Sequence, residues 1–312
     1  MAGQNASVRA YERVWRPGRS VDVAGTLAVH RRGHHDPAHR IMPDGSVWRT
    51  CRAVSGAATV RVTARPADGE IAVQAWGPGA EWVLDALPRW LGADDDPAGF
   101  QPEHPVLARA HRRHAGLLIG RTGLVMEALV PAVLEQKVTG HEAWRGWRCL
   151  LTRIGDPAPG PAPDGMRVVP EPGRLAMLPS WEWHRAGVGP DRSRTVVQAA
   201  RLASRLEAIV DLAADEADRR LRAVPGIGVW TAAEVRQRAL GDRDAVSVGD
   251  FHLPRLVAYA LAGEERADDA RMLELLEPYT GHRHRVCMLL ACAAPMPPRR
   301  GPRMPIRDYR TI

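Results

Sequence analysis

The spacing of hydrophobic and polar residues changes near residue 100. Before that point, residues 20–30 and 59–76 alternate between apolar and polar positions, which is the period of a β strand. The second run is broken at residues 66–69 by Pro-Ala-Asp-Gly, and this turn predicts a β hairpin. Residues 81–91 carry apolar side chains at helical spacing and predict one short amphipathic helix. Strands followed by a helix predict a mixed α+β domain over residues 1–100.

From residue 105 onward, the apolar residues recur every three or four positions. This helical period continues to residue 294, with one segment rich in proline and glycine at 156–173 that predicts a loop. We therefore expect an all-helical domain over residues 101–294, and an α+β fold class for the whole chain. Residues 295–312 are rich in proline and arginine and predict a flexible basic tail, for which plain disorder and a DNA-binding arm are both open.

The composition adds a preference for an anionic partner. The chain has 312 residues, which favours two domains, and a formal net charge of +7, which favours polyanions. Lys137 is the only lysine, so the many arginines also reflect coding bias and the charge adds modest support. No apolar stretch approaches the ~20 residues of a membrane span, and no apolar signal core accompanies Arg9 and Arg13. We expect a cytoplasmic protein without membrane contact.

The most informative segment is residues 221–253. A turn of small residues, Val-Pro-Gly-Ile-Gly at 224–228, directly precedes a helical pattern that begins near Val229. Backbone amides at such a turn bind anions, because unpaired N–H groups and the helix dipole point at the ligand. Asp250 follows about two dozen residues later, just before an apolar run that predicts a helix. Two interpretations of Asp250 are open: a catalytic acid, or the N-cap of that helix. The turn itself is either a phosphate site or an ordinary helix–helix connection.

The segment resembles the helix-hairpin-helix (HhH-GPD) DNA glycosylase superfamily, and within it the AlkA-type DNA-3-methyladenine glycosylases. Val248-Gly249-Asp250 stands where the family has Gly-Pro-Asp, without the proline. Other landmarks match the family in order, and the β-rich first hundred residues fit its extra N-terminal domain by class alone. The matching stretches are 133–139, 186–195, 221–228, 229–232 and 277–290.

The resemblance implies a helical glycosylase domain and roles for the hairpin. Asp250 would stabilise the positive charge that develops on the sugar when the N-glycosidic bond breaks, and would orient or deprotonate the attacking water. The residues expected at DNA are Gly226, Ile227, Gly228 and Thr231, with amides of the glycines on a phosphate. The resemblance also implies a structural Na⁺ or K⁺ on the carbonyls of Arg222, Val224 and Ile227; no other cofactor is expected.

The resemblance also places residues around an extruded base. Trp230 and Phe251 occupy pocket positions, and Trp181 and Trp183 are further candidates that an interdomain core explains equally well. Glu234 stands where the family often has an aromatic residue, and a solvated helix face is its alternative interpretation. Ala293 replaces a tryptophan, which is another departure. Strand-cutting relatives carry a Schiff-base lysine at position 230. Because this chain has tryptophan there, we expect a monofunctional enzyme that uses water.

Lys137 falls near the position where the family inserts a wedge into the gap left by the flipped base, and Gln136 is its neighbour. Gln136 would hydrogen-bond the orphaned partner base, and Lys137 takes the place of an apolar wedge. Lys137 would contact a phosphate or a base edge, and an exposed lysine without such a role is the alternative.

We expect a monomer that acts on double-stranded DNA containing damaged bases, in base-excision repair. The expected substrates are alkylated purines of the 3-methyladenine class, whose positive charge weakens the glycosidic bond. Two alternatives are open: a non-catalytic lesion-binding protein, or a glycosylase for hypoxanthine, uracil or a bulky adduct. An iron–sulfur glycosylase is disfavoured, because the four cysteines lie too far apart for a cluster loop.

Overall fold

The computed structural model describes residues 9–294, and an antiparallel sheet forms its N-terminal part. The five strands lie in the order β1-β5-β4-β3-β2, and every neighbouring pair is antiparallel. The strands are β1 Tyr11–Trp15, β2 His39–Ile41, β3 Val47–Ala53, β4 Gly56–Arg65 and β5 Glu70–Trp76. The predicted hairpin is confirmed: Arg65 pairs with Glu70 across a turn that ends at Gly69 with φ +64°.

The strand predicted over residues 20–30 is wrong. The structure has helix α1 at Val23–Ala28, and the Asp22 carboxylate accepts a hydrogen bond of 2.9 Å from the Gly25 amide. An aspartate at this position satisfies an otherwise unpaired N–H group of the first helical turn. Val23 and Leu27 are four residues apart and both buried, so the apolar spacing fits a helix as well as a strand.

Helix α2, Ala80–Trp90, confirms the amphipathic helix predicted over residues 81–91. It packs on the sheet through its buried Val83, Leu87 and Trp90, which share one hydrophobic core with strand residues such as Val60 and Val73. This core is the reason that the N-terminal part forms a stable layer of sheet and helix.

The remaining described chain is mostly helical, as the apolar period predicted. The loop predicted at 156–173 contains a two-stranded ribbon, β6 Asp156–Pro157 and β7 Arg167–Val168, and its last two residues begin the helix Pro172–Ala176. The helices are α3 Pro105–Arg113, α4 Val125–Leu134, α5 Gly140–Ile154, α6 Pro172–Ala176, α7 Ser180–Arg185, α8 Pro190–Arg201, α9 Ala203–Glu207, α10 Ala214–Arg222, α11 Val229–Val235, α12 Leu253–Ala262, α13 Asp269–Leu276 and α14 Arg283–Ala293. Short 3-10 turns lie at Ala208–Asp211 and Glu277–Tyr279, and α11 continues as a π-helical turn at Arg236–Leu240.

The helices surround two separate hydrophobic cores. One core joins α4, α5, α8, α10 and α11, with Ile227 of the hairpin inside it. The other joins α3, α12, α13 and α14, with Leu256 of α12 inside it. The start of α11 and the start of α12 therefore belong to different packing units, and the segment between them carries the candidate acid.

The mixed helix and strand content agrees with the α+β class, while the domain boundary near residue 100 stays a prediction. Over residues 9–294, the structure contains no helix that is both long and apolar enough to cross a bilayer. The basic tail expected at 295–312 lies outside the described residues.

Candidate active site

The site begins with the turn between α10 and α11. Two backbone hydrogen bonds close it, from the Val224 amide to the Leu221 carbonyl at 3.1 Å and from the Ile227 amide to the Val224 carbonyl at 3.0 Å. Val224 and Ile227 point into the core, while Gly226 and Gly228 are exposed. The turn thus has an apolar side that anchors it and a glycine side that faces solvent.

The two glycine positions of the turn differ in backbone conformation and in surroundings. Gly226 has φ +89°, and a Cβ atom there would lie 2.0 Å from the Thr195 hydroxyl oxygen. Only glycine fits, since both the left-handed backbone and the close contact exclude a side chain. Gly228 has φ −93°, and no atom lies within 4 Å of its ideal Cβ position. The space in front of Gly228 is open to a ligand.

Asp250 is held by three donors. One carboxylate oxygen accepts the backbone amides of His252 at 2.7 Å and Leu253 at 2.9 Å, and the other accepts the Trp230 indole N–H at 3.2 Å. The backbone contacts confirm that Asp250 caps the start of α12. The indole contact adds a fixed position beside the hairpin, because Trp230 is the second residue of α11.

Trp230 therefore connects the two packing units of the helical region. Its indole N–H points from α11 to a carboxylate at the start of α12, and the side chain is half-buried. A tryptophan has one donor and no acceptor, so this contact uses its whole hydrogen-bonding capacity. The side chain orients Asp250 and contributes no amine at this position.

Phe251 directly follows the acid and lies on the surface. Its side chain is 75% exposed, and its ring meets the His252 ring edge-on with centroids 4.9 Å apart. An apolar ring exposed to this extent next to Asp250 is available to a flat ligand. Its role in a base pocket stays a prediction.

Glu234 is buried, so its alternative interpretation as a solvated helix face is wrong. The carboxylate accepts the Ser247 hydroxyl at 2.6 Å and pairs with Arg238 at 2.7 Å. Burial by itself raises the pKa of Glu234, but the charge of Arg238 and the hydrogen bond from Ser247 hold it below its usual value. Arg238 was not among the expected site residues; the i, i+4 spacing of Glu234 on α11 and Arg238 on its π-helical continuation is the signal for this pair.

The two tryptophans of α7 occupy opposite environments. Trp183 lies in the core around α4, α5 and α8, which confirms the core interpretation for that residue. Trp181 is 64% exposed on the same short helix, so the core interpretation is wrong for it. The buried ring of Trp183 has no face open to an extruded base in this structure. The expectation that Trp183 lines the base pocket is therefore wrong.

Gln136 and Thr231 support the hairpin from inside. The Gln136 side-chain amide donates to the Gly226 carbonyl at 2.9 Å and to the Thr231 hydroxyl at 2.8 Å. Both amide hydrogens are thereby used, which leaves only the side-chain oxygen for an orphaned base. Thr231 is buried, and its hydroxyl accepts a hydrogen bond from Gln136, so only the backbone of Thr231 is available to DNA; its contact with DNA stays a prediction.

Lys137 lies at the exposed end of the turn between α4 and α5. Among residues 9–294 it is the one non-glycine residue with a left-handed backbone, at φ +54°. This conformation costs on the order of 1 kcal/mol for a residue with a side chain, so the surrounding turn must impose it. The turn holds Lys137 away from the core beside the residue that contacts the hairpin.

The hairpin offers a carbonyl oxygen with a free lone pair as one possible ligand for a monovalent cation. The Val224 carbonyl accepts a single backbone hydrogen bond and retains a second lone pair, and the turn places it close in sequence to the carbonyls of Arg222 and Ile227. Neutral carbonyl oxygens are the donor type that hard cations prefer. Among the described residues, no group of three or more His, Cys, Asp or Glu side chains forms a metal cluster.

Solved structures of DNA glycosylases share the fold of this chain, although no protein-family model and no curated protein matches it. The 3-methyladenine DNA-glycosylase from Archaeoglobus fulgidus is 19% identical, with a TM-score of 0.74 over 89% of this chain and 97% of that one. A structure described as MBOgg1 with a low-affinity DNA ligand is 17% identical, with a TM-score of 0.69 over 91% and 96%. The 8-oxoguanine glycosylase/lyase from Clostridium acetobutylicum is 12% identical, with a TM-score of 0.69 over 92% and 99%.

The TM-scores of 0.69 to 0.74 over nearly the whole length establish the fold, and with identities below 20% they establish the fold alone. The superfamily that the sequence landmarks suggested and the three-dimensional match agree. The chain has the fold of the helix-hairpin-helix DNA glycosylases.

Proposed function

We propose that the protein is a DNA glycosylase that removes damaged bases from double-stranded DNA. The observation that carries this proposal is the Asp250 carboxylate, fixed by three donors at the start of α12 and next to a hairpin with an open glycine face. The hairpin amides of Gly226 and Gly228 would bind a backbone phosphate, which positions the strand without reading its sequence.

The chemistry follows from the charge that develops in the reaction. Cleavage of an N-glycosidic bond places positive charge on the sugar, and a carboxylate beside the anomeric carbon stabilises it. The same carboxylate orients or deprotonates the attacking water. The contact with Trp230 restrains the rotation of the carboxylate, so little orientation remains to be gained during the reaction.

The proposed reaction is hydrolysis without strand cleavage. A lyase step through the hairpin needs an amine that forms a Schiff base, and Trp230 at the matching position has none. Lys137, the sole lysine of the sequence, lies on the α4–α5 turn beside Gln136. The expected product is therefore an abasic site in an intact strand.

The proposed substrates are alkylated purines of the 3-methyladenine class. Their positive charge already weakens the glycosidic bond, so departure of the base needs little help from a general acid. The similarity to the Archaeoglobus fulgidus 3-methyladenine DNA-glycosylase supports this class, while the similarity to 8-oxoguanine glycosylases makes a lesion panel the deciding measurement.

Single-turnover base release from lesion-bearing duplexes tests the proposal. Wild type is expected to release 3-methyladenine or 7-methylguanine, and Asp250→Asn is expected to release it at least 100-fold more slowly. Asp191→Asn is the matched control, because Asp191 is an exposed surface acid on α8. Equal and negligible release by wild type and Asp250→Asn would instead support a protein that only binds lesions. Release confined to hypoxanthine, uracil or a bulky adduct would replace the substrate class.

Three further proposals accompany this function. The protein would work as a monomer and in the cytoplasm, associated with the nucleoid. A structural Na⁺ or K⁺ would lie on the carbonyls of Arg222, Val224 and Ile227, where it would stiffen the hairpin. Exchange of K⁺ or Na⁺ for a large organic cation at constant ionic strength, followed by DNA affinity, tests the ion.

A further inference from the structure

The turn that carries Lys137 is held on two sides. On one side, Gln136 donates to the Gly226 carbonyl and the Thr231 hydroxyl of the hairpin. On the other side, Glu135 pairs with Arg32 of the N-terminal part at 3.4 Å. The α4–α5 turn therefore connects the hairpin to a loop of the N-terminal region, residues 29–36.

That loop is fixed against α5 by buried contacts. The Asp36 carboxylate accepts the Arg32 amide at 2.6 Å and the Trp147 indole N–H at 2.9 Å. Gly33 packs on Trp144 so closely that a Cβ atom would lie 2.8 Å from the ring. A loop anchored in this way presents its outer residues in a defined position.

The outer residues form a surface of rings, which we call the imidazole–tryptophan patch. His34 and His35 are exposed at the end of the loop, with ring centroids 4.9 Å apart. His141 and Trp144 are exposed on α5, with centroids 5.9 Å apart. Because Gly33 contacts Trp144, the two pairs adjoin. The patch consists of His34, His35, His141 and Trp144.

Positive charge surrounds the patch. Arg31 donates to His34, and Arg148 is exposed four residues beyond Trp144 on the same face of α5. The acids of residues 29–36 and 134–148 are all engaged internally: Asp36 with Trp147, Glu135 with Arg32, and Glu142 in a capping box with Thr139. Exposed rings beside arginines fit nucleic-acid bases and phosphates.

We propose that the imidazole–tryptophan patch binds the undamaged DNA strand opposite the extruded nucleotide. The proposal rests on the proposed function, which places the hairpin on the damaged strand. On the proposed function, the hairpin holds the damaged strand and Lys137 lies at the gap left by the extruded nucleotide. The patch begins at His141, four residues beyond Lys137, and would therefore lie near the second strand. The N-terminal part thereby contributes directly to DNA binding through His34 and His35.

Binding to defined oligonucleotides tests the patch. The probes are a duplex with one tetrahydrofuran abasic analogue, the same strand without its complement, and a duplex whose undamaged strand carries three neutral methylphosphonates opposite the analogue. The variants are His34→Ala/His35→Ala and Trp144→Ala, with His184→Ala as the control for an exposed histidine on α7. Melting temperature verifies that each variant is folded.

Both patch variants are expected to bind the duplex at least 5-fold more weakly and the single strand as wild type does. Methylphosphonates are expected to weaken wild type and His184→Ala but to have little further effect on His34→Ala/His35→Ala. Patch variants that bind the duplex normally, or that lose affinity for both forms equally, would overturn the proposal. Base release by wild type tests the proposed function separately. If wild type releases bases and the patch variants bind the duplex normally, the proposed role of the patch is overturned and the proposed function is not.

Discussion

At the scale of single residues, the site depends on a contact between two side chains twenty positions apart. Trp230 was expected to face the extruded base, and the structure gives its N–H group a defined partner in Asp250. The acid was open to two interpretations, and the backbone amides of His252 and Leu253 show that capping and a position beside the hairpin occur together. Because Asp250 accepts hydrogen bonds from amides at the start of α12, that helix fixes the orientation of the candidate catalytic carboxylate.

Trp230→Phe keeps the ring and removes the N–H donor to Asp250. We expect the single-turnover rate of base release to fall at least about 10-fold, because a hydrogen bond to a charged group contributes about 1.5–3 kcal/mol and each 1.4 kcal/mol is a factor of about 10 in rate. DNA affinity is expected to change less than 3-fold. Trp82→Phe, on α2 of the N-terminal part, is the control. An unchanged rate would show that the indole contact does not orient the acid.

At the scale of elements, the two glycines of the hairpin turn have different surroundings. Gly226 meets Thr195 of α8, so its backbone is required for the packing of the hairpin. Gly228 meets open space and has an ordinary backbone conformation. Gln136 adds a second support from the α4–α5 turn, which couples the position of Lys137 to that of the hairpin.

The pair Gly226→Ala and Gly228→Ala separates these two roles. Gly226→Ala is expected to lower the melting temperature and to abolish tight DNA binding, since the new Cβ collides with Thr195 at a left-handed backbone. Gly228→Ala is expected to melt near the wild-type temperature and still bind DNA more weakly, because its methyl group occupies the proposed phosphate position. Thermal unfolding and fluorescence anisotropy measure the two effects. Normal DNA binding by Gly228→Ala would argue against a phosphate there.

At the scale of the whole molecule, buried charges join the N-terminal part to the helical part. Asp95 follows the α2 region and pairs with Arg285 of α14, with both side chains at most 3% exposed. Asp95 also accepts the Ile119 amide at 3.0 Å. Arg49 of β3 pairs with Glu127 of α4 in the same way. These pairs specify how the two parts are docked, since each charge needs its partner in a low-dielectric interior.

Asp95→Asn is expected to reduce the free energy of unfolding by about 3 kcal/mol, because it leaves the Arg285 charge buried and unpaired. Its neighbour provides the control: Asp94 is half-exposed and lies 4.0 Å from Arg121, so Asp94→Asn is expected to cost less than about 1 kcal/mol. Urea denaturation measures both. Equal effects of the two substitutions would contradict the buried pair as a docking contact.

Buried histidines predict how stability depends on pH. Burial, with help from nearby arginines, lowers the pKa of His284 to about 4 and that of His39 to about 3. The unfolded chain takes up these protons near pH 6.5, whereas the folded chain does not, so stability is expected to fall as the pH drops from about 6.5 toward 4. Asp36 and Glu127 oppose this trend in the acid range, because burial raises their pKa values.

Melting temperatures between pH 7.5 and 4.5 test this expectation. The midpoint should decline below pH 6.5, and His39→Asn should show a shallower decline because one such group is removed. A midpoint that rises on acidification through this range would show that the carboxyl groups outweigh the histidines.

The sequence by itself determined the element types with strong periodicity, the hairpin turn and the position of the acid. These features depend on local preferences: helical spacing over 105–294, glycine at a left-handed turn position, and an aspartate before a helix. The strand predicted over residues 20–30 was wrong because the local pattern was ambiguous. The spacing of Val23 and Leu27 fits both a strand and a helix, and the cap at Asp22 favoured the helix.

Only the tertiary structure decided which polar groups meet. Glu234 could be buried because Arg238 and Ser247 satisfy it, Gln136 turned inward because the hairpin carbonyl lies within its reach, and Trp183 entered a core that Trp181 does not reach. The polar contacts join residues 4, 13 and 90 positions apart, and the burial of Trp183 depends on how the helices pack. Their energies come from desolvation and complementary partners, which the spacing of a single chain does not specify.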